Sequence, residues 1–201
     1  TYRLLKNIMG LWLVQQCRRA FAENGKDISY EQLAQLAFEA PAFRSLVDPN
    51  DDRFLNPPSM PKAIQDFCRD TGQPVPETEG QFARCVFESL ALTYAGTLEG
   101  LEGLTGTKIE AVHVVGGGSR NKLLNAFTAS ACGRPVIAGP VEATVFGNLL
   151  VQARSHGEIK TLADIRAAVR ASSEVTQCDP ENGSAWQEAR GRFAKLQERK
   201  G

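Results

Sequence analysis

Apolar side chains recur at helical spacing in several places along the first hundred residues. Leu4, Leu5, Ile8, Leu11, Trp12 and later Phe21 are among them, and Gly25 stands where such a helix would end. Ser29 and Gln32 make a capping-box pattern that opens a second helix towards Glu39. Ser59 can cap a third, running to Asp70 with Gly72 past its end, and Thr78 with Gln81 suggests another box. The helix after it carries two apolar stripes, Phe82, Val86, Leu90 and Leu101 on one and Phe87, Ala91, Tyr94 and Leu98 on the other. A helix apolar on two sides is buried on two sides, so this segment predicts the central helix. Between the second and third helices stand Pro41, Pro49, Pro57, Pro58 and Pro61, which predict a long ordered loop or irregular arm.

The second half changes period. Residues 109–115 predict a strand, 122–131 a helix, 135–138 a short strand, 142–155 and 162–169 two helices, and a last helix lies near the C-terminus. Strand and helix alternating over short connections imply a βαβ unit and an α/β domain. No internal repeat or low-complexity segment interrupts the pattern.

The composition is that of a soluble globular chain: 201 residues, 42% hydrophobic and 23% charged. Its 23 basic and 23 acidic side chains cancel, which argues against a phosphate-backbone footprint and so against nucleic acid as a partner. No apolar run approaches the ~18 residues of a membrane span, and no signal peptide opens the chain. Five scattered cysteines in no metal-binding spacing read as cytosolic thiols. Cys68 and Cys85, on successive predicted helices joined by a proline-containing turn, are expected to lie close enough for oxidation to bridge them. The chain opens at Thr1 in a helical pattern, without an initiating Met, and is read as a fragment of something longer.

The chemistry concentrates where VHVV runs into Gly116, Gly117 and Gly118. Strand, glycine turn and helix N-terminus make an anion site, because backbone N–H groups converge there and absent side chains admit a phosphate. A tight turn needing positive φ would explain one glycine but not three. Three familiar motifs fail on Asn121, since GxGxxG, the P-loop and the hydrolase elbow GxSxG would each need glycine there. The elbow nonetheless leaves a candidate triad of Ser119, Glu142 and His156. The competing reading makes Glu142 a first-turn helix residue and His156 a helix C-terminal one.

The run VVGGGSRNKLLNAFTASACGRPVIAGPVEATVFGNLL resembles the C-terminal nucleotide-binding region of the FGGY carbohydrate kinases. The segments YRLLKNIMGLWLVQQC, DPNDDRFLNPPSM and FCRDTGQPVPETEGQFARCVFESLALTY extend the likeness from Thr1 to about Gly157, and NDDRF…NP and TGQPVPE single out one member kinase. The resemblance implies an incomplete ribonuclease H-like, actin-like ATPase domain of the α/β class, rich in helices. ATP with Mg²⁺ would be the cofactors and a sugar the acceptor, in the cytoplasm. It sets Gly116 and Gly117 against the nucleotide phosphates, where a Cβ would collide, counts Gly118 among the nucleotide-binding residues, and sets Asn121 against the adenosine part. Gly10, read as a mid-helix glycine, matches a family glycine on the opposite wall of the cleft, with close helix packing as the competing explanation. In some relatives a glutamine follows four residues later; that position is Val14 here, and neighbouring Gln15 is the substitute candidate.

In this family sugar and nucleotide meet between two domains, and an aspartate near the start of the second takes the sugar hydroxyl proton. Neither that aspartate nor the phosphate- and metal-holding loop of the first domain is found here. The chain therefore reads, over 1–201, as part of a C-terminal nucleotide-binding domain without its sugar-binding domain, and with the catalytic Asp upstream of Thr1. A nucleotide-binding module without catalysis and a serine hydrolase using Ser119 are the rivals. Other clusters have plainer readings. Asp48, Asn50 and Asp52 mimic a calcium loop but lack its glycine and closing glutamate, so they read as turn formers and no metal ligands are assigned. His113 and Trp12 read as core, and Gly147 as a buried glycine that lets its helix pack closely.

Overall fold

The computed structural model describes residues 3–198. The elements run α1 (Trp12–Glu23), α2 (Tyr30–Glu39), α3 (Met60–Asp70), α4 (Glu79–Thr105), β1 (Val112–Val114), α5 (Lys122–Cys132), β2 (Val136–Ala138), α6 (Ala143–Ser155), α7 (Leu162–Ser172), β3 (Thr176–Cys178) and α8 (Gly183–Glu198). The 27-residue α4 is the axis, buried on nearly every side from Gly80 to Ala95. Its Phe82, Val86 and Leu90 join Leu13 and Val14 of α1, Ile64 and Phe67 of α3 and Leu124 of α5 in one cluster. Its Ala91, Leu92 and Ala95 join Trp186 and Phe193 of α8 in a second. Of the two apolar stripes, Phe82, Val86 and Leu90 face the first cluster and Ala91, Tyr94 and Leu98 the second, while Phe87 turns to the first and Leu101 joins neither.

The caps form where the side chains call for them. Ser29 and Gln32 make the reciprocal box, and Ser59 accepts from the Lys62 amide. Thr78 accepts from the Gln81 amide, but the Gln81 side chain turns to the Glu77 amide instead, at 2.9 Å, so this box is half made. The proline-rich arm is ordered by borrowed hydrogen bonds. Gln73 reaches both the amide and the carbonyl of Leu46, at 3.0 and 2.8 Å, and Ser89 Oγ accepts from the Val47 amide at 2.9 Å. Leu46, Val47 and Phe54 of the arm are buried.

β1, α5 and β2 form the expected βαβ unit, with Val112, His113 and Val114 opposite Val136, Ile137 and Ala138 in parallel. β3 joins β2 antiparallel to complete the order β1-β2-β3. β3 (TQC) escapes a hydropathy reading because its side chains alternate nothing.

Five expectations fail for definable reasons. The first helix begins at Trp12 rather than near Leu4, because the Met9 amide is taken by Asn50 Oδ1 at 3.3 Å and Gly10 turns left-handed at φ +62°. Gly10 is therefore a turn residue, not a mid-helix one. Trp12 is 37% exposed, and its neighbours Leu13 and Val14 supply the core instead. His113 is exposed, since β1 half-buries only Val112 and Val114. Gly147 is exposed with nothing near it, because no described element packs on that side of α6.

One helix carries two glycines of opposite consequence. A Cβ on Gly80 would stand 2.8 Å from the Leu36 carbonyl carbon, where α4 crosses α2, whereas one on Gly100 would meet nothing. Gly80→Ala is expected to cost about 1–3 kcal/mol through overpacking against backbone. Gly100→Ala is expected to gain up to about 1 kcal/mol from helix propensity. Urea unfolding of the two variants checks the sign of each.

Cys68 of α3 and Cys85 of α4 are both buried free thiols. Their mutual interaction lowers the Cys68 pKa and raises that of Cys85, so Cys68 is the more readily ionised of the two. Hydrogen peroxide is expected to oxidise the pair to a disulfide, two thiol hydrogens leaving as the peroxide becomes water. A linked peptide containing both cysteines in a non-reducing digest is the readout, and two unlinked peptides would refute it.

Candidate nucleotide site

β1 ends at Val114, and the chain reverses at Gly116 with φ +78° and ψ −164°. A side chain at that φ would be strained, so Gly116 is explained by backbone freedom. Gly117–Arg120 coil into a single 3-10 turn, and Asn121 then caps α5, its Oδ1 accepting from the Leu124 amide at 3.0 Å. The turn is braced from several sides. Ser119 donates through Oγ and its amide to the Gly116 carbonyl at 2.7 and 3.0 Å. Asn125, buried in α5, donates to the Ser119 carbonyl at 2.9 Å. From the β2 side, the Gly116 amide donates to the Pro140 carbonyl at 3.1 Å and the Gly139 amide to the Val114 carbonyl at 2.8 Å.

The three glycines have different reasons to be there. Gly118 faces only an ordinary contact, 3.9 Å from Val114 Cγ1 to an added Cβ. Gly117 has neither a positive φ nor any described atom within 4 Å of an added Cβ. The expected collision at these positions is thus not with the chain itself. The amides of Gly117 and Gly118 donate to no described group, and they lie between the end of a strand and the start of a capped helix. Free N–H groups in bare backbone beside a helix N-terminus suit an anion with several acceptor oxygens.

Asn121 spends Oδ1 on the cap, which leaves Nδ2 without a partner among the described residues. Gly10 and Gln15 lie at the start of α1, Gln15 exposed. No hydrogen bond joins either to the glycine turn. They share a floor with it, however, because Met9 and Leu11 on one side and Leu123 and Leu124 on the other pack on the same buried cluster.

The serine-hydrolase geometry does not assemble. Ser119 is buried with its hydroxyl committed to the Gly116 carbonyl. Glu142 and His156 cap opposite ends of the 13-residue α6, about 20 Å apart at 1.5 Å per residue, too far to share a proton. Asp48 Oδ1 accepts from the Asn50 amide at 3.1 Å, an Asx turn. Among the described residues no three His, Cys, Asp or Glu side chains gather as a metal site.

Two parts of the site escaped the hydropathy reading. Asn125 falls on the expected α5 but carries no motif, and only its bond to the turn reveals it. Gly139–Pro140 reads as a generic turn signal. Its hold on Gly116 depends on strand pairing.

A βαβ unit with a glycine turn after its first strand, packed on a long central helix, defines a helix-rich α/β domain. Within that class, a profile described as "FGGY family of carbohydrate kinases, C-terminal domain" matches residues 1–156, and the chain belongs to that family. The chain is 50% identical over 189 residues to a rhamnulokinase of Bacteroides thetaiotaomicron, covering 94% of this chain and 38% of that one. It is also 50% identical over 167 residues to a rhamnulokinase of Pectobacterium atrosepticum, covering 83% and 33%. It therefore spans little more than a third of the curated relatives it matches. Among solved structures, a xylulose kinase from Rhodospirillum rubrum superposes with TM-score 0.65 at 21% identity, over 92% of this chain and 36% of that one. A gluconate kinase from Lactobacillus acidophilus gives 0.65 at 16%, over 94% and 38%. These two share the fold. No helix among the described residues is long and apolar enough to cross a membrane.

Proposed function

We propose that this chain is part of the C-terminal, nucleotide-binding domain of a rhamnulokinase, which as a whole transfers the γ-phosphate of ATP to the 1-hydroxyl of L-rhamnulose in the cytoplasm, as a step of rhamnose use. The choice of sugar rests on the names of relatives at about half identity. The observation that carries the nucleotide role is Gly117, a glycine that the fold itself does not require, next to amides without partners.

In this reading the Gly117 and Gly118 amides donate to phosphate oxygens, and Gly116 makes the reversal that brings them there. Asn121 keeps Nδ2 for the adenosine part, and Asn125 and Ser119 hold the turn in shape. Gly10 and Gln15 are the candidates for the facing wall. ATP supplies the phosphoryl group. Among the described residues no three His, Cys, Asp or Glu side chains gather to hold Mg²⁺. The acceptor base and the sugar-binding surface belong to the rest of the kinase.

Gly117→Val tests the reading without disturbing the fold, since its side chain meets only open space. In the kinase carrying this domain, calorimetry is expected to show ATP affinity reduced at least about tenfold. The melting temperature is expected to stay unchanged. Unaltered affinity would overturn the assignment of the turn to phosphate.

A further inference from the structure

The bonds from Ser119 to the Gly116 carbonyl lie within the glycine turn, so they fix its shape but not its orientation on the sheet. Orientation comes from outside. Asn125 reaches the turn from α5, and the Pro140 carbonyl, just past β2, takes the Gly116 amide. Gly139, one residue earlier, gives its own amide to the Val114 carbonyl at 2.8 Å. Gly139 and Pro140 thus grip the chain on both sides of Val115, immediately before the free amides of Gly117 and Gly118.

Gly139 is itself held from its far side. A Cβ on it would stand 2.5 Å from the Glu174 carbonyl oxygen and 3.4 Å from Val175 Cα, both of them backbone atoms. Its φ of +117° also belongs to glycine. The contact continues the antiparallel pairing of β2 with β3, in which Ala138 lies opposite Thr176. Glu174 and Val175 therefore back Gly139 where the chain leaves α7 and enters β3. Among the described glycines only Gly80 approaches remote backbone as closely, and it does so where α4 crosses α2. The backing residues lie beyond 156, where the family profile ends, so the profile that covers the turn does not reach its support.

We infer that Gly139 is a positioning residue for the nucleotide phosphates, and that residues 174–178 are the brace behind it. The inference rests on the kinase reading. With bare backbone at 139, the end of β2 fits between β1 and the Glu174 carbonyl, and the Pro140 carbonyl reaches the Gly116 amide. A side chain there displaces one of two things. Moving Gly139 and Pro140 shifts Gly116 directly, and moving Glu174 and Val175 removes the backing. Either way the Gly117 and Gly118 amides lose their angle to the phosphate oxygens, a loss that falls on nucleotide binding and not on the sugar.

The test compares Gly139→Ala with Gly80→Ala in the kinase carrying this domain. Each sets a Cβ against remote backbone, so each lowers stability. Calorimetry is expected to show ATP affinity reduced at least about tenfold in Gly139→Ala, the scale of one hydrogen bond to a charged oxygen. Its KM for L-rhamnulose at saturating ATP is expected to stay within about twofold. Gly80→Ala is expected to bind ATP as the unaltered kinase does. A second measurement needs no substitution. Because coupling is reciprocal, saturating ATP is expected to slow hydrogen exchange in residues 174–178 of the unaltered kinase at least about threefold. Unchanged ATP affinity in Gly139→Ala would overturn the inference. So would equal losses in the two variants, or exchange in 174–178 that ATP leaves unaltered. In each of these outcomes the unaltered kinase binds ATP and the kinase reading stands. An unaltered kinase that binds no ATP would sink that reading, and this inference with it.

Discussion

Mixed with ATP, Mg²⁺ and L-rhamnulose, the 201-residue chain is expected to release no ADP above the uncatalysed background. Phosphoryl transfer asks a protein mainly to hold acceptor oxygen, phosphorus and leaving oxygen in line and to place charge around them. Positioning of this kind accounts for roughly 7–11 kcal/mol of barrier. In the proposed reading the glycine turn would provide one wall of such an arrangement, with two free amides, a capping asparagine and a helix N-terminus. In this reading the sugar surface, the base and the closure that excludes water lie in the rest of the kinase. Losing even the lower figure corresponds to about 10⁵-fold in rate. Steady-state ADP release within about a thousandfold of an intact kinase would show that the chain holds its own acceptor site and base. Nucleotide affinity should also fall relative to the whole enzyme, because only one side of the phosphates is held.

What could be read from the sequence follows the range of the interactions. The caps at Ser29, Ser59 and Thr78 are contacts within three residues, and they form as their residue types dictate, except that Gln81 finds a competing amide at Glu77. The two stripes of α4 are legible because they record two neighbours, even though neither neighbour is visible in the sequence. β1, α5 and β2 are legible for the same reason, through a change of period. Contacts that cross long stretches of chain are not legible. Asn50 takes the Met9 amide from 41 residues away and thereby delays α1. β3, three residues with no apolar alternation, exists because β2 offers it an edge.

The site divides in the same way. That the glycine turn follows a strand and opens a helix is written in the sequence. Which of its glycines the fold itself needs is not, since Gly116 is fixed by its φ and Gly117 by nothing within the described chain. Gly147 and α6 teach the converse. Their sequence describes a buried helix, and the pattern is right about the helix's needs while no described element meets them.

Glu88→Ala is expected to destabilise the fold by about 3–5 kcal/mol, the cost of stranding one member of a buried pair. Glu88 is 1% exposed in the middle of α4. Arg84 Nε donates to its Oε1 at 2.7 Å and the Phe43 amide to its Oε2 at 2.8 Å. Arg84 in turn donates to the carbonyls of Ala37 and Phe38 at 3.1 and 2.8 Å, and Arg192 of α8 donates to the Phe43 carbonyl at 2.7 Å. One carboxylate thus ties the end of α2, the proline-rich arm and α8 to the central helix. Removing it leaves a guanidinium and a backbone amide without their acceptor. Burial also raises the Glu88 carboxyl to about 7 from its ordinary 4.5, against the pull of Arg84 and the Phe43 amide. The sign follows from proton counts. Between those values the folded state holds a proton that the unfolded chain has released, so stability falls as pH rises through the window. The difference amounts to roughly 3 kcal/mol by pH 7. Asp66, Glu79 and Asp164, whose pKa values are lowered, act below this window and do not mask it. Urea unfolding at intervals from pH 5 to 7.5 should show the decline in the unaltered chain. Glu88→Gln keeps an acceptor for Phe43 and removes the titration, so its stability should stay flat. A flat profile in the unaltered chain, or a parallel decline in the Gln variant, would mean that Glu88 is not the group that titrates.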